Sequence, residues 1–335
     1  MKNSTPQNIW NQINKAEKII LTMDGRYDPD AVVSSTVLHN VILRELKKEI
    51  YMTYCGTLNH DVDKFSDKKL YHENTDPSEI DFSKFDLHIM IDSGTKDKIS
   101  TKSGYQPQSI IPIINIDHHD DNDGYGSYNY VKHGYPSASY VLYELLTSIN
   151  IELTQSEKEL ILLASITDTN FFQNTLASGN SFIQIGEMIQ KEQLDYHKVL
   201  QSLVMNKPEA NFILRKLVYK NLTIDHENSY AYSWATLAEV KEIGLDWKKV
   251  TERHVDLFKS MESVKFVFFV TELADSNYEL SMRSRDLEFS VLDILKVWNG
   301  GGYKVAGGAK LGKFDSMGKA IEEVKRGINL VVNNS

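Results

Sequence analysis

The stretch "KIILTMDGRYDPDAVVSSTVLHNVILRELKKEI", residues 18–50, decides the fold. "KIILTM" (18–23) is a continuous apolar run of strand length, "DGRYDPD" (24–30) has turn composition, and "AVVSSTVLHNVILRELKKEI" (31–50) repeats its apolar residues at helical spacing. Three further isoleucine-rich runs follow: "EIYMTYC" (49–55), "DLHIMIDS" (86–93) and "SIIPIINID" (109–117). Strands that are apolar on both sides need cover on both faces, so the N-terminal half is predicted to be α/β with a parallel sheet. Helices are expected in "PSASYVLYELLTSIN" (136–150) and after the capping-box pair Thr154 and Glu157.

Beyond about 210 the texture changes: "YAYSWAT", "KFVFFVTEL" and "YELSMRS" come in close succession, interrupted by helical "DWKKVTERHVDLFKSM" and "FSVLDILKVW". With 335 residues, two domains are the expectation. They are placed at 1–185 and 210–335, the second smaller and α+β, joined by a linker helix over 186–209. "WNGGGYKVAGGAKLG" reads as a glycine-rich, low-complexity loop. The start shows no secretory signal pattern, and the single Cys55 fits a reducing cytoplasm. A net charge of −9 excludes a broad basic surface for long duplexes, and no apolar run is long enough to span a bilayer.

The ends of the apolar runs carry the chemistry. In open α/β sheets, ligands bind beyond the carboxyl ends of the strands. Here the first strand leads into Asp24, Asp28 and Asp30, the third into Asp92, and the fourth into Asp117, His118 and His119, while Asp168 follows "LILLASIT". Such a cluster repels itself unless cations bind. Many oxygens with few imidazoles suit Mn²⁺, with Mg²⁺ as the alternative, better than a closed zinc site. Two such ions about 3.5–4 Å apart would activate a water for attack on phosphorus. Other readings stand beside this one. Asp28 and Asp30 around Pro29 also fit a turn and a helix N-cap, Asp92 fits another cap, and Asp168 fits a salt bridge.

The pieces "DPDA" (28–31) with Ser34, "IDS" (91–93), "IDHHDDN" (116–122), "PSAS" (136–139) and "TDTNFF" (167–172), in this order, resemble the DHH phosphoesterase family. "SMRSR" (281–285) and "GGGYKVAGG" (300–308) resemble its DHH-associated domain, closest to the nanoRNase and 3′-phosphoadenosine-5′-phosphate phosphatase branch. The resemblance implies a dinuclear Mn²⁺ site in a cleft between the domains. Asp24, Asp28 and Asp92 would hold one ion and Asp30, His118 and Asp168 the other, with Asp92 bridging. It further implies that Asp117 orients a histidine, that His119 meets the substrate phosphate and that Asn122 helps to bind it. Catalysis would thus fall to Asp92, His118 and His119.

In the C-terminal half, Gly300, Gly301 and Gly302 would let backbone approach a phosphate, and Arg283 and Arg285, two apart on a strand, would clamp one, with Lys304 a weaker candidate. Two positions depart from the family pattern. Asp24 stands where a histidine is usual, and Tyr303 replaces the histidine after the glycines. The expected function is hydrolysis of short oligonucleotides, dinucleotides or nucleotide bisphosphates. Its rivals are an inorganic pyrophosphatase or polyphosphatase of the same superfamily, and a degenerate nucleotide-binding protein. The expected partners are a short nucleic acid or nucleotide, with neither long duplex nor membrane, and a homodimer is an admissible assembly.

Overall fold

The computed structural model describes residues 3–332 except 26, 59–61, 63, 103, 108–109, 175, 206–208, 246–253 and 287. It divides into two compact units, Met1–Asn206 and Lys207–Ser335.

The first unit is built on a six-stranded sheet: β1 (Ile19–Thr22), β2 (Ile50–Thr53), β3 (Tyr71–His72), β4 (Leu87–Ile91), β5 (Ile113–Asp117) and β6 (Tyr128–Val131). Every pairing is parallel, as the isoleucine-rich runs predict. Ile19, Ile20, Leu21, Ile89 and Ile91 are at most 1% exposed, so side chains on both faces of the sheet are covered. Full burial of one such aliphatic side chain is worth roughly 1.5–3 kcal/mol.

Helices α1 (Pro6–Lys15), α2 (Pro29–Leu46), α3 (Ala138–Ser148), α4 (Gln155–Asp168), α5 (Gly179–Glu192) and α6 (Tyr196–Val204) complete the unit. The Thr154–Glu157 capping box opens α4 as expected. The strand order is β3-β2-β1-β4-β5-β6, so the direction of winding reverses between β1 and β4. That switch point is where an open α/β sheet offers a crevice for a ligand.

The stretch expected as one linker helix, 186–209, is organised differently. It contains the end of α5, a break at Gln193 with φ 52°, and α6. Ile185, Met188, Leu194 and Val199 are buried in the first unit's core, so both helices belong to that unit.

The second unit holds α7 (Glu209–Lys220), β7 (Thr223–Asp225), β8 (Tyr230–Ala235), α8 (Leu237–Glu242), β9 (Phe266–Glu272), β10 (Asn277–Ser284), α9 (Val291–Leu295), β11 (Gly301–Tyr303), β12 (Ala306–Lys313) and α10 (Met317–Val332). Its sheet runs β11-β12-β10-β9-β8-β7, antiparallel except for the parallel pair β8 and β9. Strand alternation splits the core. Phe266, Phe268 and Val270 face one apolar cluster, and Val267 and Phe269 face the other.

The glycine-rich stretch is a β-hairpin, β11 to β12, rather than a loop. Its glycines are required by packing. Gly302 sits at φ 139°, and a Cβ there would lie 2.4 Å from the Ala306 carbonyl oxygen; a Cβ on Gly307 would lie 2.5 Å from the Gly301 oxygen. The first half of the helix expected over "DWKKVTERHVDLFKSM" lies outside the described residues; within them, His254–Leu257 forms a 3-10 turn. No described helix is long and apolar enough to cross a membrane.

Candidate metal centre

Register brings the acidic residues to one edge. Thr22 pairs with Met90, Ile91 with Ile116, and the Asp92 N–H donates to the Ile116 carbonyl at 3.0 Å. The loops after β1, β4 and β5 therefore leave the sheet side by side. Asp92 is the first residue after β4 and adopts φ 52°, left-handed backbone that costs a non-glycine residue about 1–2 kcal/mol.

Asp28 does cap α2, its Oδ1 accepting the Asp30 N–H at 2.8 Å. Asp30, fully buried, accepts N–H bonds from Ala138 at 2.6 Å and Ser139 at 3.0 Å, in the first turn of α3. That helix start is fixed by its cap Ser137, whose hydroxyl also meets Ser165 of α4 at 2.8 Å. The "PSAS" stretch thus supplies backbone donors that neutralise part of Asp30's charge.

His118 is 3% exposed and its Nδ1 donates to the Tyr135 carbonyl at 3.0 Å. In the neutral ring this leaves a lone pair on Nε2, which lies 3.2 Å from Asp168 Oδ2 and 3.6 Å from Asp92 Oδ1. Both of those oxygens are buried and make no hydrogen bond. Burial pushes the Asp92 carboxyl well above its ordinary range, and Asp30, Asp28, Asp168 and Asp117 push it further. Asp168 is raised for the same reasons, burial first, then Asp30, Asp28 and Asp117.

Asp117 behaves differently. Burial raises its carboxyl, but hydrogen bonds from His119 Nδ1 at 2.8 Å and Asn122 Nδ2 at 2.6 Å, with the histidine's charge, lower it overall. Burial lowers the His119 imidazole, and its bond to Asp117 outweighs this and raises it. The histidine that Asp117 orients is therefore His119, while His118 is oriented by the Tyr135 backbone.

Asp30, His118 and Asp168 each offer one ligand atom within 4.8 Å of the others, as do Asp92, Asp117, His118 and His119. Orphaned carboxylate oxygens around an imidazole lone pair are what a hard divalent cation needs, so the residues fit a metal. Neither set includes Asp28 or Asp24. Asp28 still adds to the field on Asp92 and Asp168, whereas the buried Asp24 lines a cavity of about 450 Å³ with Lys98, Ser100, Thr101 and Lys102. Asn122, expected at the substrate, is 1% exposed, and its amide bonds Asp117, Asn115 and the Gly124 N–H. It positions Asp117.

The expected residues of the second unit are held within it. Arg283 Nε lies 3.3 Å from Asp256 Oδ1 and its Nη1 donates to the Met282 carbonyl. Arg285 donates to the Glu262 carbonyl and lines a cavity of about 460 Å³ with Lys265, Ser229 and Ser263. Gly300, Gly301 and Gly302 build the hairpin, Tyr303 is exposed, and Lys304 pairs with Glu288 at 3.2 Å. Sequence reasoning missed Lys98, six residues after Asp92, and the backbone donors at the start of α3, which "PSAS" signals as a helix cap.

The chain is similar to known proteins along most of its length. The DHH family, N-terminal domain, matches residues 18–166. The bifunctional oligoribonuclease and PAP phosphatase NrnA of Mycoplasma genitalium is 22% identical over 92% of this chain and 93% of its own. The protein of the same description from Bacillus subtilis is 24% identical over 93% and 95%. A crystal structure of an exopolyphosphatase-related protein from Bacteroides fragilis shares the fold, with a TM-score of 0.79 at 18% identity over 97% of this chain and 95% of that one. The likeness to the DHH family is thus carried by residues 18–166, the stretch that holds β1 to β6 and most of the acidic and histidine residues.

Proposed function

We propose that the chain is a metal-dependent phosphoester hydrolase acting on short oligonucleotides, dinucleotides or nucleoside bisphosphates. The observation that carries this reading is the pair of buried, unbonded oxygens of Asp92 and Asp168 facing His118 Nε2. Relatives that align along nearly the whole chain are named for oligoribonuclease and PAP phosphatase activities, which favours nucleotide phosphoesters over pyrophosphate.

Asp30, His118 and Asp168 would hold one Mn²⁺, and Asp28 with Asp24 the second, Asp92 serving both; Mg²⁺ is the alternative ion. When bound, such a pair supplies an acidified water and screens the phosphate's charge. The protein supplies the rest. The Tyr135 carbonyl fixes the His118 ring, the first turn of α3 fixes Asp30, and Asp117 holds His119 so that its other nitrogen meets the substrate phosphate.

The test is turnover by purified protein with Mn²⁺ of a diadenylate, a cyclic dinucleotide, a nucleoside 3′,5′-bisphosphate and pyrophosphate. Hydrolysis of a nucleotide ester is expected. Pyrophosphate as the preferred substrate would overturn the substrate class, and tight nucleotide binding without turnover would favour a degenerate binding protein, the reading that Asp24's position outside both ligand sets supports.

A further inference from the structure

The acidic centre has a cation at its rim. Lys98 Nζ lies 3.0 Å from Asp121 Oδ2, and the two residues come from different loops, the one after Asp92 and the one after His119. The pair sits directly on Gly94, where a Cβ would fall 2.4 Å from Asp121 Oδ1 and 2.9 Å from Lys98 Nζ. The ammonium is close enough to His119 for its charge to oppose protonation of that ring. It also borders the cavity shared by Asp24, Ser100, Thr101 and Lys102.

As a strap between loops the pair is weak, because Asp121 is 58% exposed and exposed ion pairs contribute little stability. As a receptor it is well placed. A phosphoester brings negative charge toward a site rich in carboxylates, and a primary ammonium beside His119 meets that charge with charge-assisted hydrogen bonds.

We propose that Lys98 receives a non-bridging oxygen of the substrate's phosphate, and that Asp121 holds the ammonium over Gly94 until the phosphate displaces it. The inference rests on the phosphoester reading above and adds a specificity residue to it. Gly94 is part of the device, because any side chain there occupies the space of the ion pair.

Steady-state kinetics on a nucleoside bisphosphate, with metal content and inorganic phosphate binding measured on the same samples, test it. Lys98→Ala should raise KM about tenfold or more with metal content unchanged, and weaken phosphate binding in parallel. Lys98→Arg should stay within about threefold of wild type, because charge and donors are kept. Gly94→Ala should follow Lys98→Ala, while Asp121→Asn should leave KM unchanged or lower it by removing the competitor. A merely structural strap gives the opposite pattern: Asp121→Asn and Lys98→Ala raise KM equally, which would overturn the proposal, as would no effect from either. Wild-type protein that neither turns over nor binds phosphate would remove the underlying phosphoester reading instead.

Discussion

The two sheets treat polar chemistry in opposite ways. The first unit leaves side chains unsatisfied beside its parallel sheet: Asp92, just after β4, and Asp168, at the end of α4, have buried oxygens without hydrogen bonds. The second unit engages its candidate arginines internally, Arg283 in an ion pair with Asp256 at 3.3 Å and Arg285 in a hydrogen bond to the Glu262 carbonyl, and uses glycine to pack a hairpin. Unsatisfied groups in a core are costly and need a ligand to explain them. Satisfied ones need no ligand, and their role rests on what they present at the surface.

The largest effect that would break this contrast lies at Asp92. Asp92→Asn should lower kcat by at least about two to three orders of magnitude and deplete the metal, as assayed by turnover and elemental analysis. Near-native turnover would show that the unsatisfied oxygens are not the reaction centre.

Next comes removal of metal. Chelation should lower the melting temperature of the first unit by roughly 10 °C, restored by Mn²⁺, because the ion binds only the folded site. The metal-free protein should also respond to pH with a definite sign. Folding raises the pKa of Asp92 and Asp168, so the folded state holds protons that the unfolded chain releases. Stability of the metal-free protein therefore falls as pH rises from the ordinary aspartate range, near pH 4, and Asp117, lowered on folding, opposes this only in part. A melting temperature that climbs between about pH 4 and 7 without metal would contradict the arrangement.

A smaller effect belongs to the second unit. Gly302→Ala should destabilise it by about 1–3 kcal/mol through backbone strain and the clash with Ala306, leaving metal content unchanged in denaturation and elemental analysis. The smallest is Tyr303→His, an exposed change expected to shift KM by no more than about threefold with the metals retained. A loss of metal from either variant would erase the distinction between the units.

The first unit was legible where a buried apolar strand stops abruptly at an acid, because that boundary is written in consecutive residues. β1, β4 and β5 were visible in this way. The two-residue β3, and β6 with its sequence "YNYV", were not, since short edge strands carry little apolar signal. In the second unit, β8, β9 and β10 showed through their aromatic and alternating residues, while β12, "AGGAKLGK", hid because glycine and lysine disguise a strand as a loop. Ligand-type residues could be named individually from the sequence. Their supports could not, because the Tyr135 carbonyl on His118, the start of α3 on Asp30, and Gly94 under Lys98 are contacts made by folding rather than by spacing.

The left-handed backbone at Asp92 also shapes which genetic variants this protein can carry. Glycine and asparagine occupy that conformation readily, and both lie one base change from an aspartate codon. Alanine, valine, tyrosine and glutamate are equally near but strain the chain as well. Loss-of-function alleles at this codon should therefore fall into two kinds, one depleting the protein and one leaving a full complement of inert, folded copies. The second kind would pass any screen based on protein abundance and would be seen only by assaying the reaction.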